Sequence, residues 1–251
     1  MSASTTQPAR RRPGPPGRPV DLTPADVRWL AWHEARCHAL TGREVRDLGD
    51  AVLLYDQTDR EPFWNRLAGV SWPIEPGAFD RRLAEAFALF AGLDRIPHVW
   101  PMPGYDEPID LTERLLAAGF VDHGGGILMG LDPVLRPIER SRAFDPGVTV
   151  ERLHRLTGEP ALAAARAIAA VLTTSFAVEA ERLVAIELEA VQGLTSDAYH
   201  AILARVDGVP AAIARRTTFA GGSYLSSIGT DPAFRGRGLG RIVTAIAVDD
   251  A

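Results

Sequence analysis

The sequence contains no lysine, so all 27 of its basic residues other than histidine are arginine. This absence excludes the nucleotide P-loop, which needs a lysine after its glycines to reach the phosphates. Together with the abundance of Arg, Ala, Gly and Pro, it indicates the codon bias of a GC-rich bacterium.

Cysteine is almost absent too. The single residue of this type, Cys37, excludes a disulfide within the chain and any cysteine-based zinc cluster. The sequence also lacks a run of about 18 apolar residues that could span a membrane. Residues 1–20 lack the hydrophobic core of a signal peptide. We therefore expect a cytoplasmic protein without a membrane partner.

An excess of basic residues is also lacking, because the formal net charge is -5 at pH 7. A chain of this charge has no general attraction for a phosphate backbone, so we expect no nucleic-acid partner. With 251 residues, 46% of them hydrophobic, the chain is long enough for one large domain or two small ones.

The most informative stretch is rich in glycine and lies near the C-terminal end. Alternating apolar residues predict a strand over residues 224–228, Asp231-Pro232 ends it, and apolar residues predict a helix over 242–248. The glycines between them allow several backbone N–H groups to converge at a helix start, where such groups bind anions. The stretch therefore predicts an anion-binding site.

The spacing of the glycines distinguishes two kinds of phosphate loop. A dinucleotide fingerprint needs Gly-x-Gly-x-x-Gly, but Arg241 stands three residues after Gly238. The pattern Arg-x-x-Gly-x-Gly, formed by Arg235, Gly238 and Gly240, resembles instead the acetyl-CoA signature of the GNAT superfamily of N-acetyltransferases. A plain glycine-rich turn with surface arginines is the alternative interpretation.

The resemblance implies acetyl-CoA as the co-substrate and no metal. It also implies that the end of the strand faces the pantetheine arm, through Ile228, Gly229 and Thr230. The loop and the helix start that follow would hold the pyrophosphate, through Arg235, Gly236, Arg237, Gly238, Leu239, Gly240 and Arg241.

The second half of the chain has the element order of that family. The patterns predict a strand at 148–153, helices at 157–173 and 179–192, and strands at 200–206 and 210–218, joined at Asp207-Gly208. With the strand, loop and helix that follow, this order resembles the first part of a GNAT domain over residues 147–251. Because such a domain continues with further strands, the resemblance implies that the chain is incomplete at its C-terminal end.

The first half shows a weaker form of the same order. A helix starts at the N-cap Thr23 and runs to about residue 40. The patterns then predict strands at 51–55 and 67–72, a helix at 78–91, a strand at 96–100, a helix from a capping box at Asp110 and a strand at 127–131. Residues 74–79, where the pyrophosphate loop would fall, contain a single glycine.

We therefore expect an α/β (α+β) protein of two GNAT-like lobes, each a mixed, mostly antiparallel sheet flanked by helices. Residues 1–22 form a disordered tail and 23–132 a degenerate lobe. Residues 133–146 form a linker, and 147–251 form the acetyl-CoA-binding lobe.

Two other motifs do not indicate a functional site. His33 and His38 are five residues apart and do not share a helical face as metal ligands must, so we interpret them, with Glu34 and Cys37, as ordinary helix residues. The run from His123 to Gly126 is similar to the oxyanion loop of lipases, but the chain has no Gly-x-Ser-x-Gly nucleophile. A glycine-rich hairpin is the expected structure there.

The implied function is acetyl transfer to an amine by direct attack on the thioester. Four glutamates lie on the helix that often lines the acceptor site, namely Glu179, Glu181, Glu187 and Glu189. Periodicity does not choose a base among them, so the catalytic residue stays unassigned, as do the acceptor amine and the oligomeric state. A non-catalytic acyl-CoA-binding or regulatory module is the alternative, and a structural interaction protein is a third possibility.

Overall fold

The computed structural model describes residues 22–125 and 146–251. The predicted tail up to residue 21, the strand at 127–131 and most of the linker lie outside the described residues, and so does the end of the glycine-rich run at Gly126. Within the described part, three helices and four strands precede the linker, and three helices and four strands follow it.

The first lobe is a four-stranded sheet with helices on both faces. Its elements are α1 (Pro24–Ala39), β1 (Glu44–Asp47), β2 (Val52–Tyr55), β3 (Arg66–Ala68), α2 (Pro76–Gly92), β4 (Val99–Trp100) and α3 (Leu111–Ala117). The strand order is β1-β2-β3-β4, with β3 and β4 parallel and the other pairs antiparallel. Apolar residues of α2 and α3 cover one face, and α1 covers the other through Ala35 against Val52 and Leu54.

The second lobe is a four-stranded antiparallel sheet, ordered β5-β6-β7-β8. Its elements are β5 (Val148–Leu153), α4 (Gly158–Phe176), α5 (Leu183–Thr195), β6 (Tyr199–Val206), β7 (Val209–Phe219), β8 (Gly222–Thr230) and α6 (Leu239–Asp249). Helices α4 and α5 pack on one face, where Ile168 and Leu203 are fully buried. Helix α6 packs on the other through Leu239, Val243 and Ala247.

The architecture confirms the expected fold class and corrects several local predictions. Strand β1 was missed because its four residues contain only one apolar side chain, Val45. Strands β3 and β4 are shorter than predicted, with three and two residues. The capping box at Asp110 is wrong, because that side chain accepts a bond from Arg114 Nε at 2.9 Å and caps no backbone N–H. Helix α6 begins at Leu239, three residues before the predicted start.

Helix α1 lies between the two sheets and joins the lobes. It starts as predicted, with a capping box between Thr23 and Asp26. On its far side, His33 Nε2 donates to the carbonyl oxygen of Phe219 on β7 at 2.8 Å. The four residues interpreted as ordinary helix residues, His33, Glu34, Cys37 and His38, are all buried, which the sequence pattern did not predict.

Over residues 22–125 and 146–251, no helix combines the length and the apolar character needed to cross a membrane. The same residues contain no cluster of three or more His, Cys, Asp or Glu side chains placed to hold a metal ion.

Candidate functional site

The glycine-rich stretch forms a tight connection between β8 and α6. The Asp231 carboxylate accepts the backbone N–H of Ala233 at 2.8 Å and starts a 3₁₀ turn over Pro232–Phe234. Gly236 and Gly238 then adopt φ values of 80° and 78°. Side-chain-bearing residues rarely adopt this left-handed region, so the path of the connection requires glycine at both positions.

Gly238 is the N-cap of α6, and no side chain caps the helix start. Within the described part of the chain, the backbone N–H groups of residues 236–240 have no hydrogen-bond acceptor. Unpaired donors at a helix start, together with the positive end of the helix dipole, favour an anion. The local geometry is thus that of an open anion cradle.

Packing fixes this helix start against the sheet. Leu239 is buried in the core between α6 and the sheet. A Cβ placed on Gly240 would lie 3.0 Å from Thr230 Oγ1, so a larger residue there would require the threonine side chain to move by a few tenths of an ångström. The cradle therefore rests on a buried anchor and has little freedom to shift.

The three predicted arginines differ in their surroundings. Arg235 is a structural residue of the loop, since its guanidinium donates to the carbonyl oxygens of Thr230 at 3.2 Å and Ser175 at 3.1 Å. Arg237 and Arg241 are exposed beside the cradle. These two side chains place positive charge next to the unpaired N–H groups.

A β-bulge interrupts β8 and includes the first of the predicted pantetheine residues, Ile228. Ile213 pairs with Gly229 and Arg215 with Ser226, so Ser227 and Ile228 together oppose a single residue of β7. Ser227 has a φ of 50°, which is strained for a residue with a side chain. Bulges of this kind redirect backbone groups beside active sites. The sequence does not predict this bulge, because serine is not a residue type that indicates one.

The predicted pantetheine residues border a crowded junction with α4. Gly229 is buried, and a Cβ on it would lie 2.8 Å from Ser175 Cβ and Oγ. Ile228 is exposed and β8 is an edge strand among the described strands, since only β7 pairs with it. An extended ligand arm could therefore lie along this edge and pair with its free backbone groups.

A buried ion-pair chain reaches the bulge from the first lobe. Arg215 on β7 donates to Ser227 Oγ and, at 2.9 Å, to Glu189 Oε1 on α5. Arg43, from the turn between α1 and β1, donates to Glu189 Oε2 at 3.0 Å and pairs with Asp56 at 3.1 Å. Burial alone would raise the pKa of Glu189, but the two guanidinium groups outweigh it and hold this pKa far below its ordinary value. Glu189 is therefore a paired carboxylate and is unsuited to accept a proton from a substrate.

A second buried cluster surrounds Glu34 on α1. Arg66 Nη2 lies 2.6 Å from both carboxylate oxygens, His38 Nε2 lies 3.0 Å away, and the Tyr224 hydroxyl donates at 3.3 Å. Burial opposes ionisation of this carboxyl, yet the His38 and Arg66 contacts lower the pKa of Glu34 to about 2. Burial lowers the pKa of His38, so its ring is neutral at pH 7. These residues hold the lobes together.

The other candidate bases are not distinguished by the structure. Glu179 and Glu181 are exposed near the start of α5, and Glu187 is half-buried on the same helix. Their burial resembles that of ordinary surface glutamates, so the catalytic residue remains unassigned.

Comparisons with known proteins were made at the level of sequence and of structure. A scan against models of protein families gave no match, and a search of curated proteins gave none either. Among solved structures, a GCN5-related N-acetyltransferase from Kribbella flavida matches 90% of this chain and 80% of its own, with 21% identity and a TM-score of 0.63. A ribosomal-protein-alanine N-acetyltransferase from Brucella melitensis matches 41% of this chain and 71% of its own, with 23% identity and a TM-score of 0.32.

The first of these likenesses carries the argument, because it extends over both lobes of the chain. The chain therefore has the fold of the GCN5-related N-acetyltransferases.

Proposed function

We propose that the chain binds acetyl-CoA at the connection between β8 and α6 and transfers the acetyl group to an amine. The observation that carries this proposal is the row of unpaired N–H groups over residues 236–240, which follows directly on a bulged edge strand. A plain surface turn would need neither the row of unpaired donors nor the bulge beside it.

The loop residues divide the binding of the pyrophosphate between backbone and side chains. The N–H groups from Gly236 to Gly240 donate to the phosphate oxygens, and the start of α6 adds its dipole. Arg237 and Arg241 add a screened, salt-dependent attraction from the surface. Ile228, Gly229 and Thr230 line the edge along which the pantetheine arm runs.

The bulge places a hydrogen-bond donor beside the thioester carbonyl. The amine nitrogen attacks the carbonyl carbon, a tetrahedral centre forms, and the C–S bond then breaks to release the CoA thiolate. A backbone N–H turned outward at Ser227 or Ile228 would stabilise the negative charge that develops on the carbonyl oxygen. The amine proton passes to a base outside the two buried clusters, because Glu34 and Glu189 are held as paired carboxylates. Holding amine and thioester together supplies much of the acceleration.

The first lobe is proposed to be a degenerate copy that does not bind CoA. Helix α2 starts with Glu75 as its N-cap and Pro76 at the first helical position. A carboxylate at this place repels phosphate, and the proline removes one N–H donor. Under this proposal residues 23–132 form the degenerate lobe, 133–146 the linker and 147–251 the acetyl-CoA lobe.

Calorimetric titration of the intact chain with CoA and acetyl-CoA tests the proposal, followed by acetyl transfer to a panel of amines. We expect micromolar CoA affinity and turnover with at least one amine. Affinity without any turnover would favour the non-catalytic acyl-CoA-binding module. An absence of CoA affinity would refute the proposal and favour an interaction protein.

A further inference from the structure

A series of polar contacts begins in the first lobe and ends at the bulge in β8. Asp56 and Arg43 belong to the first lobe, whereas Glu189, Arg215 and Ser227 belong to the second. Each link is a charge-assisted or ion-pair contact between buried or nearly buried side chains. The exposed fraction is 3% for the side chains of Arg43 and Arg215 and 11% for Glu189.

The geometry of Glu189 couples the two halves of this chain. One carboxylate oxygen accepts from Arg215 and the other accepts from Arg43, so the plane of the carboxylate is fixed by both guanidinium groups. Arg43 is itself held between Asp56 and the ring of Trp64, 3.7 Å from the ring centroid. A planar guanidinium held in this way has few alternative orientations.

The last link acts on a strained residue. Ser227 occupies a left-handed φ of 50°, a strained conformation that persists only where its surroundings enforce it. The Arg215 guanidinium, on the neighbouring strand β7, donates a hydrogen bond to the Ser227 hydroxyl. This bond holds the serine side chain in place and so favours the left-handed backbone conformation. Glu189 accepts from the other terminal nitrogen of the same guanidinium and so helps to orient Arg215.

We propose that Arg43 is a positioning residue for the acyl-CoA site, acting through Glu189 and Arg215 to hold the bulge at Ser227. The effect of Arg43 on CoA binding rests on the proposed function. Its effect on the conformation of the bulge does not. It gives the first lobe a role in the site of the second lobe, although no residue of the first lobe is proposed to touch CoA.

A second interlobe ion pair provides a matched control. Arg182 pairs with Asp59 at 2.8 Å and with Glu61 at 3.3 Å, so it also joins the lobes. These contacts do not lead to β8. Replacing Arg182 therefore removes an interlobe contact of similar chemistry. It leaves the contacts from Asp56 to Ser227 intact.

The experiment compares Arg43→Met with Arg182→Met by two-dimensional NMR of the backbone amides and by CoA titration. In Arg43→Met we expect the amide signals of residues 227–229 to shift more than in Arg182→Met, and CoA affinity to fall about two- to thirtyfold. In Arg182→Met we expect both to stay near the wild type. Asp56 tolerates the loss of Arg43, because its carboxylate also accepts the backbone N–H groups of Thr58 and Asp59.

A double-mutant cycle separates positioning from general destabilisation. If Arg43 acts through the bulge, Arg43→Met should weaken CoA binding much less in a Ser227→Ala background than in the wild type. If Arg43→Met does not fold, Arg43→Lys replaces it, because an ammonium group keeps the charge but cannot reach both Glu189 and Asp56.

Equal amide shifts at residues 227–229 in the Arg43 and Arg182 variants would overturn the inference. Additive effects in the cycle would overturn it as well. A wild-type chain without CoA affinity would refute the proposed function instead, and the amide shifts would still decide whether Arg43 holds the bulge.

Discussion

Replacement of Gly238 by valine is the sharpest test of the anion cradle. The residue has a φ of 78°, and no described heavy atom lies within 4 Å of the position that a Cβ would take. The structural cost of a side chain is therefore the strain of the left-handed backbone alone, about 1–2 kcal/mol of folding free energy. A folded variant is expected.

The effect on CoA is much larger than this strain. A valine would project into the space where the pyrophosphate is proposed to lie, and relaxation of φ would turn N–H groups away. Hydrogen bonds to charged groups are each worth about 1.5–3 kcal/mol, so the loss of two weakens binding by at least about a hundredfold. Arg237→Ala should weaken it by no more than about fivefold, and less at high salt, because the side chain is exposed.

Gly221 supplies the matched control. It lies in the turn between β7 and β8, has a φ of 77° and also has no described heavy atom within 4 Å of its Cβ position. Gly221→Val carries the same backbone strain far along the chain from the cradle. The assay is CoA titration of the three variants at two salt concentrations, after thermal unfolding has shown that each is folded. Equal CoA affinity in the two glycine variants would refute the cradle.

Three further predictions concern the stability and reactivity of the fold. Glu34→Gln should lower the free energy of unfolding by about 3 kcal/mol or more, since it leaves buried arginine charge unpaired. Because the pKa of Glu34 is lowered to about 2, its contribution is present above the ordinary value of 4.5 and is lost as the pH falls towards 2. Urea unfolding at several pH values measures both effects, and an unchanged pH dependence in the variant would contradict them. Gly193→Ala should cost about 1–3 kcal/mol more than Gly92→Ala in urea unfolding. Both glycines are helical, but only the first would place a Cβ 3.1 Å from a buried ring, that of Tyr199. Finally, burial raises the pKa of Cys37 to about 12, so a thiol reagent at pH 8 should react only after unfolding.

The sequence predicted those elements whose signals are local. Strand β5 matches the predicted residues, and β6 and β7 match within one residue at each end. Asp207 and Gly208, with φ values of 49° and 82°, form the expected two-residue hairpin turn. The glycines of the cradle could be predicted for the same reason, because a left-handed backbone strongly favours glycine.

Features that depend on distant residues could not be predicted. Glu34 and Glu189 look like ordinary helical glutamates, since the partners that bury them lie far away in the sequence. Glu34 meets Arg66 from 32 residues away, and Glu189 meets Arg43 from 146 residues away. The bulge at Ser227 is another such feature, because it depends on contacts between strands and on Arg215.

The long separation of Arg43 and Glu189 also has a consequence for synthesis on the ribosome. At about 5–20 residues per second, roughly 7–30 s pass between the emergence of the arginine and that of its carboxylate partner. During this time Arg43 has Asp56 as a partner but lacks Glu189, the second carboxylate that its finished packing requires. The two lobes should therefore complete their folding together, after most of the second lobe has been made, and should unfold as one cooperative unit.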